Sequence, residues 1–364
     1  MKIKEITNYL ERVAPLSYQE KYDNCGLIVG DKDAVAKGVL ITLDCTEAII
    51  NEAIEKKCNL IIAHHPIIFK GLKKLNGGSY TERSVISAIK NDIAIYAIHT
   101  NLDNIYNGVN SRIADMLEVK NCKILRPNSK FIKQLVVYCP ATHAKSLRDS
   151  LLEYGAGEFA SYDNCSFSVI GNGTFRPKKG SNPYFGKVGK IEKVVEERLE
   201  FFYNIKDEDG LLECLFRVHP YEQVAYQIYS LDNICTNIGS GMIGELEKEI
   251  EADTFLEYIK DRMQTKCIRH TRVCNKKIKK VAFCGGSGSF LLEDAKHHQA
   301  DIFISSDFKY HEFFDADNNL IIADIGHYES EQFTKDLIYD LLIKKFTKFA
   351  FRLSKVNTNP INYL

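Results

Sequence analysis

The sequence carries no surplus of either charge. Its 48 Lys and Arg residues balance 48 Asp and Glu. That balance argues against an electrostatic nucleic-acid binder, which carries a basic excess. A local basic run, "NKKIKK" (275–280), reads as a solvated stretch ahead of a strand. The 11 cysteines are odd in number and contain no CxxC pair, and Cys139 and Cys284 sit in apolar runs. A disulfide framework is therefore excluded, and the thiols read as small hydrophobes in a reducing compartment. The opening "MKIKEITNYLERVAP" is an amphipathic helix pattern without the apolar core of a signal peptide. No apolar run approaches the ~20 residues that span a bilayer. The expectation is a soluble, cytoplasmic protein with no membrane partner.

What is present is ordinary globular material, 45% apolar and 26% charged, long enough at 364 residues for two or three domains. In the first segment short apolar runs alternate with helical periods. "GVLITLD" (38–44), "NLIIAHH" (59–65) and "IAIYAIHT" (93–100) read as strands, with helices at 45–58, 82–92 and 108–119. That grammar predicts βαβ units and a largely parallel sheet. The last segment repeats it. Strands are expected at 300–307 and in "NLIIADIG" (319–326), followed by one long helix over 327–346. "NLIIADIGH" echoes "NLIIAHH", which suggests one α/β layer built from both chain ends. Residues 131–232 read β-α-β-β-α-β, the order of a ferredoxin-like α+β insert. The glycines of "NIGSGMIGELE" (237–247) suit a linker at its far boundary. The expected fold class is thus α/β, with a discontinuous α/β domain (1–126 and 241–364) interrupted by an α+β insert (127–240).

In open α/β sheets ligands bind beyond the carboxyl ends of strands. Here those ends carry one chemistry. His64 and His65 follow one strand, His99 ends a second with Asp103 four residues on, and His327 follows a third with Glu331 four residues on. On a helix starting at 327, positions i and i+4 share a face, which selects Glu331 over Glu329. The first turn also favours a carboxylate through the helix dipole. Imidazole with carboxylate suits zinc, manganese, iron or nickel. The five candidates His64, His65, Asp103, His327 and Glu331 are too many for one tetrahedral ion. They suit two divalent ions sharing one carboxylate, which is hydrolytic machinery.

Other motifs say less. "CGGSGSF" (284–290) reads equally as a tight strand-to-helix turn or as an anion cradle. Asp307 and His311 in "SSDFKYHE" could meet substrate or cap a surface. Asp23 and Asn24 in "YDNCGLIVG" could cap a helix or line the cleft. His219 and Glu222 in "VHPYEQVAY" read as structural or interfacial.

Taken in order, "DNCGLIVG", "AHHPIIF", "HTNLDN", "GELE", "CGGSGS", "SDFKYHE" and "DIGHYESE" resemble the Nif-three-like family, whose members are often labelled GTP cyclohydrolase I type 2 homologues. The resemblance spans the chain, including the terminal "TNPINYL". "GTFRPKKGSNPYFGKVGK" with "HPYEQVAY" is similar to the PII-like or CutA-like insert of the longer bacterial members. The resemblance implies the same five residues as ligands of two metal ions, zinc first among them, with Glu331 bridging. It implies His99 as a neighbouring proton carrier, a nucleotide-like small-molecule substrate and a toroidal homohexamer. Ring opening of a guanine at C8 with loss of formate would be the reaction. A non-enzymatic, metal-binding regulatory scaffold with a ligand-sensing insert is the alternative, and a DNA-associated regulator is disfavoured by the zero net charge.

Overall fold

The computed structural model describes residues 1–129, 131–158, 161–273 and 277–364. Asn275 and Lys276 of the basic run therefore lie outside the described residues. The chain divides into two compact units, residues 1–127 with 236–364, and residues 128–235.

The first unit holds two sheets, not the single layer expected. In the five-stranded sheet Val39–Thr42, Leu60–Ala63 and Ala94–Ala97 run parallel, in the register Val39↔Leu60↔Ala94. Gly26–Val29 closes one edge antiparallel, and Phe351–Leu353 joins the other edge in parallel. Every residue of the three central strands is buried. This explains their unbroken apolar runs, since helices cover a parallel sheet on its faces. Ile49, Ile50 and Ala53 of one helix and Val85 and Ala88 of another pack on Leu40, Ile61 and Ile95. The six-stranded sheet has a parallel centre of Lys277–Ser287, Ile302–Ser306 and Ile321–Asp324. Each end of the chain therefore builds its own sheet around its own "NLIIA" strand, and the two exchange edge strands: Lys120–Asn128 joins the second sheet and Phe351–Leu353 the first.

Three local expectations are corrected. Residues 237–247 are not a linker but part of the strand Cys235–Glu251, antiparallel to Lys277–Ser287. Their glycines serve close backbone approach: a Cβ on Gly244 would lie 2.6 Å from Lys120 O, and Gly241 has φ +64°. The helix after 326 is broken into His327–Glu331 and Thr334–Lys345. Ser330 Oγ donates back to His327 O at 2.8 Å and the Gln332 side chain donates to Met263 O at 2.8 Å, and such side-chain bonds compete with a regular ladder. Glu331 thus ends a short helix and gains nothing from a first-turn dipole. Within "CGGSGSF" the strand runs on through Ser287, so the expected strand-to-helix turn is confined to Gly288, ahead of the 3-10 turn Ser289–Leu291.

The second unit is a four-stranded antiparallel sheet, Ser166–Phe175, Glu192–Asn204, Ile132–Pro140 and Tyr226–Ser230 in that spatial order. Ala141–Tyr154 and Glu208–Val218 pack on one face through Leu147, Leu151, Leu211 and Leu215. The element order β-α-β-β-α-β is that read from the sequence. Among the described residues the ten cysteines are free, and no described helix is long and apolar enough to cross a membrane.

Candidate metal centre

The end of Leu60–Ala63 sets the site. Beyond it the backbone still follows its neighbour, with His64 N donating to Thr42 O (3.2 Å) and His65 N to Leu43 O (2.9 Å). Both rings therefore stay at the carboxyl end of the sheet, their centroids 4.9 Å apart. Each imidazole is held through its Nδ1. His64 Nδ1 donates to Ile98 O at 2.8 Å, and His65 Nδ1 to Asp44 Oδ1 at 2.7 Å. His327 Nδ1 donates to Asp307 Oδ2 at 2.7 Å, and His99 Nδ1 to Asp23 Oδ1 at 2.9 Å. A filled Nδ1 leaves Nε2 as the lone-pair nitrogen, the arrangement typical of a ligating histidine.

The Nε2 atoms meet around one buried carboxylate. Glu331, 3% exposed, turns Oε2 to His65 Nε2 (2.9 Å) and His327 Nε2 (3.1 Å), and Oε1 toward His64 Nε2 (3.8 Å). Asp103 Oδ1 lies 3.6 Å from His64 Nε2. Both of these last atoms are buried without a hydrogen-bond partner, an expensive state for polar atoms unless something else satisfies them. Three donor groups each lie within 4.8 Å: His65, His327 and Glu331; His64, Asp103 and Glu331; and His64, His65 and His99. The residues present therefore fit a divalent cation by donor type, convergence and orphaned atoms.

Burial and the neighbouring charges divide the proton affinities within the cluster. At His65 burial opposes charge, but the hydrogen bonds and charges of Asp44 and Glu331 outweigh it and raise the ring to about 10. The Glu331 charge, with Asp307, raises His327 to about 11. Burial and the neighbouring Glu331 push Asp103 well above the usual carboxylate range, while burial pulls His64 down to about 4. A cation bound here would release the protons that His65, His327 and Asp103 hold.

A profile of the family described as Duf34/NIF3 (NGG1p interacting factor 3) matches residues 1–360. The chain belongs to this family. A Bacillus subtilis (strain 168) protein named "GTP cyclohydrolase 1 type 2 homolog" is 36% identical over 367 residues, covering 99% of this chain and 98% of the relative. Among solved structures, a Bacillus cereus protein related to NIF3 is 34% identical with a TM-score of 0.78. It covers 100% of this chain and 99% of its own. The Staphylococcus aureus protein SA1388 is 29% identical with a TM-score of 0.77 and the same coverage.

In this Duf34/NIF3 member the structure brings together all six residues singled out from sequence: His64, His65, His99, Asp103, His327 and Glu331. Asp307 holds His327, whereas His311 lies edge-on to Tyr310 and tilted against Phe314 and joins none of the donor groups. Asp23 acts at a helix start, as one of its two readings had it, but its side chain is buried behind His99 and does not line the cleft. It holds His99, and it accepts from Thr100 N (3.0 Å) and Thr100 Oγ1 at the start of the helix Thr100–Asp103. Asn24 instead ties Ile68 O, at 2.7 Å. His219 is structural, its Nε2 donating to Tyr138 O at 3.0 Å.

Several contributors went unread. Asp44 ends the strand run "GVLITLD" just as the histidines end theirs, and that position was the available signal. Thr358 Oγ1 donates to Asp44 Oδ2 at 2.5 Å, so the C-terminal segment braces His65 from behind. The glycines of "CGGSGSF" clear space for Glu331, because a Cβ on Gly286 would come 2.3 Å from Glu331 Oε1. Gly286 N also donates to Ser330 Oγ at 2.9 Å. Tyr22 and Phe69, 64% and 45% exposed, tilt together at 6.0 Å, and Phe69 lies 6.3 Å from the His99 ring.

Proposed function

We propose that this chain is a metal-dependent hydrolase of a nucleotide-like small molecule, built on two divalent cations that share Glu331. The observation that carries the reading is the carboxylate of Glu331, whose two oxygens face two different donor groups. His65 and His327 would hold one ion, His64 and Asp103 the other, with zinc the first candidate and manganese, iron or nickel compatible with the same donors. Cations at such a centre supply Lewis acidity and a water acidic enough to lose its proton near neutral pH.

The remaining chemistry belongs to the chain. Asp44, Asp307 and the Ile98 carbonyl fix three rings so that their Nε2 atoms converge. His99, steadied by Asp23, presents its Nε2 to the same space and is the candidate proton carrier. Tyr22 and Phe69 offer exposed faces on which a flat ring can stack. The names of the curated relatives favour hydrolytic opening of a guanine ring as the reaction.

We place residues 128–235 as a PII-like or CutA-like insert within a discontinuous domain, and assign the protein to the cytoplasm as a toroidal homohexamer. Light scattering coupled to gel filtration tests the last point. The decisive experiment is metal analysis of chelator-free protein together with turnover of GTP. Glu331→Gln and His65→Ala should abolish both metal content and turnover while the oligomer survives. Turnover unchanged in those variants would refute the reading. The alternative, a non-enzymatic metal-binding scaffold that senses a ligand through its insert, is favoured by one observation, a cleft in the second unit.

A further inference from the structure

That cleft occupies about 720 Å³ within residues 138–225, inside the usual range for small-molecule sites. It unites two stretches that the metal centre leaves unused, the loop "RPKKGSNPYFGKVGK" and the turn "HPYEQ". The loop is held in place. Glu222 accepts from Asn182 N at 2.9 and 3.1 Å, Gly189 N donates to Pro177 O at 2.8 Å, and Ser181 Oγ donates to Lys178 O at 2.7 Å. The cleft is thus formed before any occupant arrives, which lowers the cost of binding.

Its walls are aromatic. Tyr221 lies 6.3 Å from both Phe175 and Tyr184, and Phe185 lies 4.7 Å from Tyr184. His143 meets the Tyr184 ring edge-on at 5.5 Å, with its Nε2 3.3 Å from the hydroxyl. Tyr184 is nevertheless 49% exposed, a face open to stacking. The rim is basic. Arg176, Lys178 and Lys179 line it within four positions, and among the described residues none of them is ion-paired. Two carboxylates also line the cleft, Glu222, already engaged by Asn182 N, and Glu196. Glu196 Oε1 accepts from the Tyr221 hydroxyl at 2.8 Å, while its Oε2 sits over Gly173, where a Cβ would come to 1.9 Å. That second oxygen takes no hydrogen bond among the described residues.

We infer that this cleft binds a nucleotide. The aromatic walls take a planar base, Glu196 accepts from a ring amino or imino group, and Arg176, Lys178 and Lys179 take the phosphates. A bare anion would leave the aromatics and Glu196 unused, and an uncharged ring would leave three cations without partners.

The test is calorimetric titration of the full chain, at one fixed salt concentration, with GTP, ATP, guanosine and inorganic triphosphate. Arg176→Ala with Lys178→Ala should weaken nucleotide binding about 100-fold, at roughly tenfold per charge-assisted contact. Tyr184→Ala should weaken it at least about fivefold through lost stacking. Glu331→Gln, at the other site, should leave this binding intact, and unchanged melting curves would show that the exposed loop variants fold. Inorganic triphosphate binding as tightly as GTP would overturn the inference, as would binding lost in Glu331→Gln but kept in the loop variants. Absence of any nucleotide binding would overturn it too. So would a change of oligomeric state in Tyr184→Ala, which would assign the aromatics to a second copy of the chain.

Discussion

Gly286→Ala isolates the feature that gives Glu331 its place. The perturbation is one methyl group. Gly286 sits at φ +62°, where an L-residue costs about 1–2 kcal/mol. Its Cβ would also lie 2.3 Å from Glu331 Oε1 and 3.4 Å from His327 Cε1. Carbon–oxygen contacts relax only near ~3.3 Å, so the carboxylate must retreat by about 1 Å. It is buried and ringed by His64, His65 and His327, and functional groups tolerate only ~0.5 Å of displacement. The expected result is metal affinity reduced roughly 10- to 100-fold, the range seen when a ligand's support is removed, or roughly 1.4–2.8 kcal/mol. A competition titration against a chromophoric chelator reads the affinity, and thermal unfolding reads the backbone strain. Gly155→Ala is the control, at φ +118° with no atom near the added methyl, and it should show strain without loss of metal. Gly286→Ala that binds metal within twofold of the parent would refute the steric argument.

Asp44→Asn should weaken metal binding at His65 by about 10-fold or more, and Thr358→Val by less, with non-additive losses in the double variant; equal and additive losses would show that the C-terminal segment does not act through Asp44. Glu52 supplies a pH test. Its carboxylate takes Lys56 Nζ at 2.5 Å, Lys355 N at 3.0 Å and Ser354 Oγ, and these outweigh burial to hold it below its ordinary 4.5. A depressed folded value stabilises above the unfolded one, so the contribution is whole above ~4.5 and fades as pH falls through the folded value. Glu52→Gln should therefore cost about 1–3 kcal/mol at pH 7, and the gap in melting temperature from the parent should shrink with acidification; a gap independent of pH would count against the charge. Ile61→Ala, fully buried between sheet and helices, should lower the denaturation midpoint by the equivalent of about 2–5 kcal/mol.

The strand ends were legible because buried parallel strands are apolar throughout, so the first polar residues after "NLIIA" mark the edge where ligands gather. The pairing of His327 with Glu331 followed from helical spacing, which one turn suffices to satisfy even though the helix then breaks. Asp44 escaped because an aspartate closing a strand looks like a turn residue until its partner, 21 positions away, is known. The glycines of 237–247 and 284–288 escaped for a related reason. What a glycine permits depends on the atom that approaches it, Lys120 O in one case and Glu331 Oε1 in the other, and local sequence carries no trace of that neighbour. The two sheets were read as one because similar strands imply similar layers, whereas which edges join is decided by distant pairings.

His65 and His327 stand 262 residues apart in the chain. At about 5–20 residues per second, synthesis of that interval takes roughly 13–52 s. Throughout that time the emerging chain displays two adjacent imidazoles without the carboxylate that unites them, beside a sheet still missing its Phe351–Leu353 edge. Biogenesis is thereby ordered in time: the donor cluster cannot be completed until the strand Ile321–Asp324 and Glu331 beyond it have left the ribosome. On the proposed reading, metal content would report chains that have finished folding, and a fragment released early would carry half of the donor cluster.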